Sequence, residues 1–454
     1  MVEAAPGPRR GLPDWLAFIE TLHPKAIAMG LARVAAVASR MNLRQKAAVV
    51  TVGGTNGKGS TCAMLESIYR RAGYRTGLYT SPHLARYNER VRIDGVDASD
   101  DALVGAFERV EAARAPHAST RDGDAADAPI PLTYFEFGTL AALDLFAQAR
   151  LDVLILEVGL GGRLDAVNIV DADAAVVTTV DIDHAEYLGA TREAIGREKA
   201  GIFRTGRPAI CGDADPPATL VAHAVAIGAR LWLLGRDFRY AGEGTQWRYE
   251  GPGGGRYGLP YPALRGSYQL QNAATALAAI DALRERVPVA AGAVREGLVS
   301  VVLPGRLQVL PGRPAIVLDV AHNPQAARAF AVALGAMGAY RRTLAVFGML
   351  KDKDIEAVVQ AVAPRIDAWY VAPLPGPRGG AIERIAGAVA ATGVERSAIR
   401  VFDDIEHALA AARNDAADTD RIAAFGSFLT VAAVQDATRA ARLHEEGSGL
   451  PARE

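Results

Sequence analysis

Val49-Val50-Thr51-Val52-Gly53-Gly54-Thr55-Asn56-Gly57-Lys58-Gly59-Ser60 is the stretch that decides the fold of this chain. The β-branched run at its start reads as a strand over 48–52, buried on both faces. Beyond Ser60 the period changes: Leu65, Ile68, Tyr69 and Ala72 share one face of a helix over 60–72, and Gly73 stops it. The glycines therefore join a strand to a helix. In that setting successive backbone N–H groups and the positive end of the helix dipole converge on an anion, and Lys58 adds a full charge. The match to the general phosphate loop is irregular. The expected first glycine falls on Val52, and Gly59 is inserted between Lys58 and the hydroxyl residue Ser60.

Outward from this turn, 152–158 and 174–180 are further apolar runs of strand length, alternating with amphipathic segments. The fold class is α/β, and the C-terminal ends of the strands should carry the chemistry. Between 208 and 268 short segments rich in Gly, Pro and aromatics, including Gly251-Pro252-Gly253-Gly254-Gly255, predict antiparallel hairpins rather than another βαβ unit. Helical spacing returns at 272–284. The two Pro-Gly pairs of Leu303-Pro304-Gly305-Arg306-Leu307-Gln308-Val309-Leu310-Pro311-Gly312 then flank an extended linker. A second alternating series follows: strands at 315–320, 343–347, 368–371 and 421–425, with helices at 324–337 and 355–362. The expected architecture is a P-loop parallel-sheet domain with a small appended antiparallel sheet (1–302), a linker (303–312), and a smaller C-terminal α/β Rossmann-like domain (313–454). Residues 115–129 lack periodicity and read as an exposed loop without a functional signal.

Fifty basic against 51 acidic residues leave a formal charge of −1, so no global field would hold nucleic acid or an anionic membrane. Any anionic ligand must be held locally. Cys62 and Cys211 are too few for a disulfide framework or a cysteine-based zinc site, which fits a reducing compartment. The N-terminus, 1–11, has no apolar core of a signal peptide, and no run approaches the ~18 residues that cross a bilayer. A cytoplasmic location is the expectation.

Glu157 closes the run 152–158 and is followed by Val158-Gly159-Leu160-Gly161-Gly162-Arg163, a loop able to approach a ligand closely. A carboxylate there is a partner for a phosphate loop through Mg²⁺, which takes a few oxygen donors besides phosphate and water. Glu157 and Ser60 are the first candidates. Asp183-His184 follows the next strand and could face the same pocket. Lys199 lies between Ile195 and Ile202 on the apolar face of a helix, so it should point inward. Desolvation would free its amine from a pKa of ~10.4, and a neutral amine can take up CO₂ to become a carbamate ligand. The residues alone favour a snorkelling lysine.

Taken together, these motifs make the chain resemble the dihydrofolate synthase/folylpolyglutamate synthase family of the Mur ligase superfamily, over roughly 15–434. Its carriers are Gly54-Thr55-Asn56-Gly57-Lys58-Gly59-Ser60, Thr80-Ser81-Pro82-His83-Leu84, Leu132-Thr133-Tyr134-Phe135-Glu136, Glu157-Val158-Gly159-Leu160-Gly161-Gly162-Arg163-Leu164-Asp165 and Gly196-Arg197-Glu198-Lys199-Ala200-Gly201-Ile202-Phe203. Leu303-Pro304-Gly305-Arg306, Asp319-Val320-Ala321-His322-Asn323-Pro324 and Gly426-Ser427-Phe428 add to it.

The resemblance implies that Thr55, Asn56, Gly57, Lys58, Gly59 and Ser60 bind ATP, with Asn272, Arg306 and Asp319 contacting the nucleotide. Ser81 and Glu157 would hold one Mg²⁺, and Glu157, His184 and carbamylated Lys199 a second; Lys58, His184 and Lys199 would be the catalytic set. Thr133, Tyr134, Phe135 and Glu136 with Leu164, Asp165 and Ala166 look like the pterin side, and His322 and Ser427 like binders of the incoming glutamate. His322-Asn323-Pro324 reads equally as a strand-to-helix turn with an N-cap and Pro at the first helical position. Two departures stand out: Ala28 where relatives often carry Asp, and Val167 in place of a usual Thr.

The implied reaction is ATP-dependent addition of L-glutamate to dihydropteroate and to reduced folates through an acyl phosphate, by a monomer with neither a nucleic-acid nor a membrane partner. A cell-wall-precursor ligase of the same superfamily is the first rival, against which the segment 132–136 argues. A P-loop switch or transport ATPase is the second.

Overall fold

A computed structural model describes residues 11–115, 128–338 and 340–447. Most of the expected loop at 115–129, and the N-terminal stretch before Gly11, lie outside the described residues. The chain divides into two compact units, Met1–Ala263 with Leu270–Val301, and Leu264–Gln269 with Val302–Glu454.

The first unit is built on an eight-stranded sheet. Its strands are β1 (Ala48–Gly53), β2 (Thr76–Tyr79), β3 (Val91–Ile93), β4 (Val96–Asp97), β5 (Val153–Glu157), β6 (Ala174–Val177), β7 (Pro208–Cys211) and β8 (Arg230–Leu233), in the order β4-β3-β2-β5-β1-β6-β7-β8. All pairings among β2, β5, β1, β6, β7 and β8 are parallel, and β3 and β4 add an antiparallel edge. Every residue of β1, β5 and β6 is buried, which is why these strands read as unbroken apolar runs rather than alternating ones. Val52 pairs with Glu157 and Gly53 with Val177, so the three central strands end on one edge. Behind the β2 side packs an aromatic cluster in which Phe107 meets Trp15, Tyr87 and Phe137 edge to face, at 6.1, 5.7 and 5.5 Å.

The expectation of hairpins throughout 208–268 is corrected at its start. Pro208–Cys211, helix Ala218–Ala226 and Arg230–Leu233 form one more βαβ unit of the main sheet. Pro208 is tolerated because it opens its strand, where the missing N–H breaks no interior ladder. The antiparallel sheet is confined to β9 (Arg239–Glu243), β10 (Gln246–Gly251) and β11 (Gly254–Pro260). Buried Trp247 and Tyr249 anchor it: the indole Nε1 donates to Pro260 O at 2.8 Å and the Tyr249 hydroxyl to Asp281 Oδ2 at 2.9 Å.

The second unit has a six-stranded sheet. Its strands are β12 (Gln308–Leu310), β13 (Ala315–Leu318), β14 (Thr343–Phe347), β15 (Ala368–Val371), β16 (Ile399–Val401) and β17 (Arg421–Phe425), in the order β12-β13-β17-β14-β15-β16. Only β12 runs antiparallel, an edge strand that lies within the segment expected as an extended linker. Phe347 lies between Phe425 (4.9 Å) and Trp369 (5.6 Å) in the core. Among the described residues no helix is long and apolar enough to cross a membrane.

Candidate active site

The glycine turn leaves β1 and enters helix Lys58–Arg71 through Gly57, the N-cap, at φ 87°. A Cβ at 57 would fall 2.4 Å from Asn272 Oδ1, and one at Gly54 (φ 145°) 1.9 Å from Thr178 Oγ1. Glycine is needed at both for conformation and for space. The segment after β6 holds the turn from beneath. Thr55 N donates to Thr179 O (2.7 Å), Asn56 N to Thr179 Oγ1 (3.1 Å), Thr178 Oγ1 to Asn56 O (2.6 Å) and Thr55 Oγ1 to Asp181 O (3.0 Å). The N–H and hydroxyl of Thr55 are thus spent on the protein, and the anion-binding capacity shifts to the helix start, whose first N–H groups have no intrahelical acceptor. Lys58 Nζ folds back over the turn onto Gly54 O (3.0 Å) and Thr55 O (3.2 Å). Ser60 is buried in the first turn of the helix.

Gly57→Ala forces a Cβ into left-handed backbone, which costs about 1–2 kcal/mol, and against Asn272. Titration calorimetry with ADP is expected to show affinity weakened roughly tenfold or more; an unchanged Kd would contradict the cradle.

On the neighbouring strand, Glu157 is buried and its Oε2 accepts the Ser81 N–H at 3.1 Å, which ties the Ser81 segment to the end of β5. Glu89 fixes that segment from the other side, its carboxylate accepting the N–H groups of Leu84 (2.7 Å), Ala85 (2.9 Å) and Arg86 (2.7 Å). His184 caps helix Ala185–Leu188 in left-handed backbone, φ 53°, and its N–H donates to Asp183 Oδ1 at 2.9 Å. Such a conformation is rare for a non-glycine residue and persists only where the surroundings impose it.

Lys199 is buried in helix Arg192–Ala200. Burial, then the like charge of Lys58, brings its amine down to about 7, against the opposing pull of Asp183 and Asp165. The electrostatics therefore bring Lys58, Lys199, Asp183 and Asp165 into one neighbourhood. Among the described residues no three His, Cys, Asp or Glu form a cage for a metal. Glu157, Ser81 and His184 offer a carboxylate, a hydroxyl and an imidazole, donor types that a divalent metal beside phosphate accepts.

The expected pterin-side residues cluster around the loop after β5. Phe135 packs on Gly159, where a Cβ would lie 2.7 Å from its ring, and stands 5.9 Å from Tyr79. Tyr134 lies edge-on to Tyr87 under the Arg90 guanidinium. Thr133 and Glu136 form a capping box at the start of helix Tyr134–Gln148, and Glu136 also pairs with Arg33 at 3.0 Å. Its carboxylate is thus structural in this arrangement. Arg33 Nη2 further donates to Ala28 O at 2.9 Å, and Gly30 N to Leu164 O at 3.4 Å, which brings the Ala28 segment to the same loop. Asp165 accepts from Leu160 N (2.9 Å) and Val167 N (3.1 Å), and burial pushes its carboxyl up to about 7. Ala166 and Val167 are buried in the core.

Within the second unit, Asp319 sits at the end of β13 and accepts Leu307 N (2.8 Å) and Ala321 N (2.9 Å); burial raises its pKa and the Arg306 charge opposes this. Arg306 lies over the Phe428 ring at 5.2 Å, and its buried Nη1 has no hydrogen-bond partner among the described residues, a donor suited to an anion. His322 Nδ1 donates to Val320 O at 2.8 Å, and its ring is 6.1 Å from Phe428, next to buried Ser427. Asn323 N-caps helix Pro324–Ala336 with Pro at its start, so the cap reading of 322–324 holds while His322 still joins this cluster.

Comparison with known proteins fits this arrangement. Residues 129–280 match the Mur ligase middle domain and 305–428 the Mur ligase glutamate ligase domain. A dihydrofolate synthase/folylpolyglutamate synthase of Escherichia coli (strain K12) is 45% identical, over 97% of this chain and 99% of its own length. The chain belongs to the dihydrofolate synthase/folylpolyglutamate synthase family. The structure of E. coli FolC in complex with DHPP and ADP superposes with a TM-score of 0.88 at 45% identity, covering 96% of this chain and all of that one. A bifunctional folylpolyglutamate synthase/dihydrofolate synthase with Mn, AMPPNP and L-glutamate bound gives 0.86 at 43% identity, covering 96% and 100%.

The supports of the site carry almost no sequence motif. Thr178, Thr179 and Asp181 under the turn, Glu89 behind Ser81 and Arg33 behind Ala28 all act through backbone groups. Only the capping box, Thr133 with Glu136 three residues on, had a signature in the sequence.

Proposed function

We infer that this chain is an ATP-dependent amide ligase that adds L-glutamate to dihydropteroate and to reduced folates. What supports the reading is the Lys58 turn at the end of β1, the Glu157–Ser81 contact at the end of neighbouring β5, and a buried Lys199 whose amine senses the charge of Lys58. ATP is assigned to the turn, with its phosphates on the helix start from Gly57 to Ser60 and on Lys58. Asn272, Arg306 and Asp319 are the further nucleotide contacts. The domains are assigned as 1–302 for ATP, 303–312 as linker and 313–454 for glutamate ligation, in a cytoplasmic monomer.

Ser81 and Glu157 would hold one divalent metal ion, and Glu157, His184 and carbamylated Lys199 a second. Bound there, Mg²⁺ supplies Lewis-acid charge that offsets the γ-phosphate. The carbamate forms when the neutral Lys199 amine bonds to the carbon of CO₂ and sheds one proton; an amine brought down to about 7 is neutral in a large fraction of molecules at neutral pH. Lys58 stabilises the phosphoryl oxygens as the substrate carboxylate attacks the γ-phosphorus and ADP leaves. The amine of glutamate, held by His322 and Ser427, then attacks the acyl carbon and phosphate departs, forming the amide. Thr133, Tyr134, Phe135, Leu164, Asp165 and Ala166 line the pterin side, with Glu136 holding the Ala28 segment through Arg33.

The test offers purified protein ATP, Mg²⁺ and L-glutamate with dihydropteroate, tetrahydrofolate or a nucleotide-linked muramyl acid in separate reactions. ADP release is expected with the first two and only when glutamate is present. Turnover with the muramyl acid, or hydrolysis indifferent to glutamate, would overturn the reading. Failure of dihydropteroate alone would point to Ala28.

A further inference from the structure

The loop after β5 and the helix carrying Lys199 approach more closely than side chains allow. A Cβ at Gly162 would lie 2.9 Å from both Glu198 O and Lys199 O, and one at Gly201 2.4 Å from Arg163 Cβ. Arg163 N donates to Glu198 O at 2.8 Å, a carbonyl in the last turn of the helix whose other donor, Gly201 N, stands at 3.4 Å. Arg163 O and Gly201 O then point toward one spot, where two carbonyl dipoles repel unless a donor stands between them.

Asn168 is that donor. Its side chain is nearly buried, and Nδ2 reaches Arg163 O at 3.0 Å and Gly201 O at 3.1 Å. The amide orientation is fixed independently, because Arg204 Nη2 donates to Asn168 Oδ1 at 2.9 Å and to its backbone O at 3.0 Å. A single carboxamide nitrogen bridges both carbonyls, and the longer contact of Arg204 Nη1 reaches Gly201 O (3.4 Å) but not Arg163 O. Aspartate has no donor to offer them, and serine has only one.

We propose that Asn168 is a positioning residue that locks the Gly162–Asp165 loop to the helix end, so that the folate-side residues and the Lys199 side chain are held at a fixed separation. The consequence for a carbamate rests on the Lys199 reading above, whereas the positioning itself does not. Loss of Asn168 leaves the phosphate turn untouched, since its supports come from the segment after β6.

Two measurements separate the claims. In bicarbonate-free buffer, acetylation of Lys199 by acetic anhydride, followed by mass spectrometry, is expected to run roughly tenfold faster in Asn168→Asp and Asn168→Ala than in the parent, with ADP affinity within about twofold. In ¹³C-bicarbonate, the carbamate carbon signal of the parent is expected to need roughly tenfold more bicarbonate in the variants. Absence of that signal in the parent would remove the carbamate reading alone. Parent-like acetylation in the variants would overturn the role of Asn168. Should those variants not fold, Asn168→Ser decides: an intermediate acetylation rate supports positioning, and a parent-like rate overturns it.

Discussion

Lys199→Ala is expected to abolish turnover, with a loss of about 10³-fold or more, while ADP binding stays within about twofold of the parent. The size follows from the task assigned to Lys199. A metal's charge stabilisation in a phosphoryl transfer amounts to several kcal/mol, and each 1.36 kcal/mol is a factor of ten in rate. The selectivity follows from position, because the nucleotide turn draws its shape from Gly54, Gly57 and the Thr178–Asp181 segment rather than from Lys199. Steady-state kinetics beside titration calorimetry reads both numbers. Full activity in the variant would end the carbamate assignment, and equal loss of ADP affinity would mean that the lysine only supports the fold.

The same side chain makes stability depend on pH in a direction that can be worked out. Its folded pKa, about 7, is below the ~10.4 of an unfolded lysine. Between those values the unfolded chain binds more protons than the folded one, so unfolding free energy from this group rises with pH. The penalty is fully present below about 7 and disappears as pH passes the unfolded value. Lys199→Met keeps much of the volume and has no proton to lose. In bicarbonate-free buffer its melting temperature, relative to the parent, should be highest near pH 6 and fall toward pH 10. A difference independent of pH would show that Lys199 is not desolvated.

What could be read in the sequence, and what could not, divides by the range of the forces involved. The strands Thr343–Phe347, Ala368–Val371 and Arg421–Phe425 and the helix Ile355–Val362 fall where the apolar pattern put them, because a buried parallel strand is a short apolar run and an amphipathic helix has its own period. Helix Tyr134–Gln148 escaped because it is buried on nearly every side, so it shows almost no polar face. The βαβ unit at 208–233 escaped because Pro208, Pro216 and Pro217 look like turn residues, although each sits at an element's edge. Residues whose chemistry is intrinsic, such as Lys58, Glu157 and Lys199, were visible. Asn168 was not: its partners are carbonyls 5 and 33 residues away, and a side chain that serves backbone groups leaves no spacing to detect.

Lys58→Met tests the turn and its link to Lys199 together. The ammonium rests on the carbonyls of Gly54 and Thr55, so it neutralises the turn's own dipoles while it waits for phosphate. In the proposed reaction its removal would take away a charge that stabilises the transferred group, and losses on the order of 10²–10³-fold in kcat are usual for one such donor. ADP affinity should fall less, by roughly ten- to a hundredfold, the scale of a charged hydrogen bond. The second effect has the opposite sign. Lys58 is the next cause after burial that depresses the Lys199 amine. Without it, the protonated form of Lys199 gains ground, and the bicarbonate needed to half-saturate the ¹³C carbamate signal at pH 7 should increase. Adding Lys199→Met to Lys58→Met should then cost less than the product of the two single losses, because the first substitution has already weakened what the second removes. Strictly multiplicative losses in that cycle, with an unshifted carbamate titration, would show that the two lysines do not sense each other.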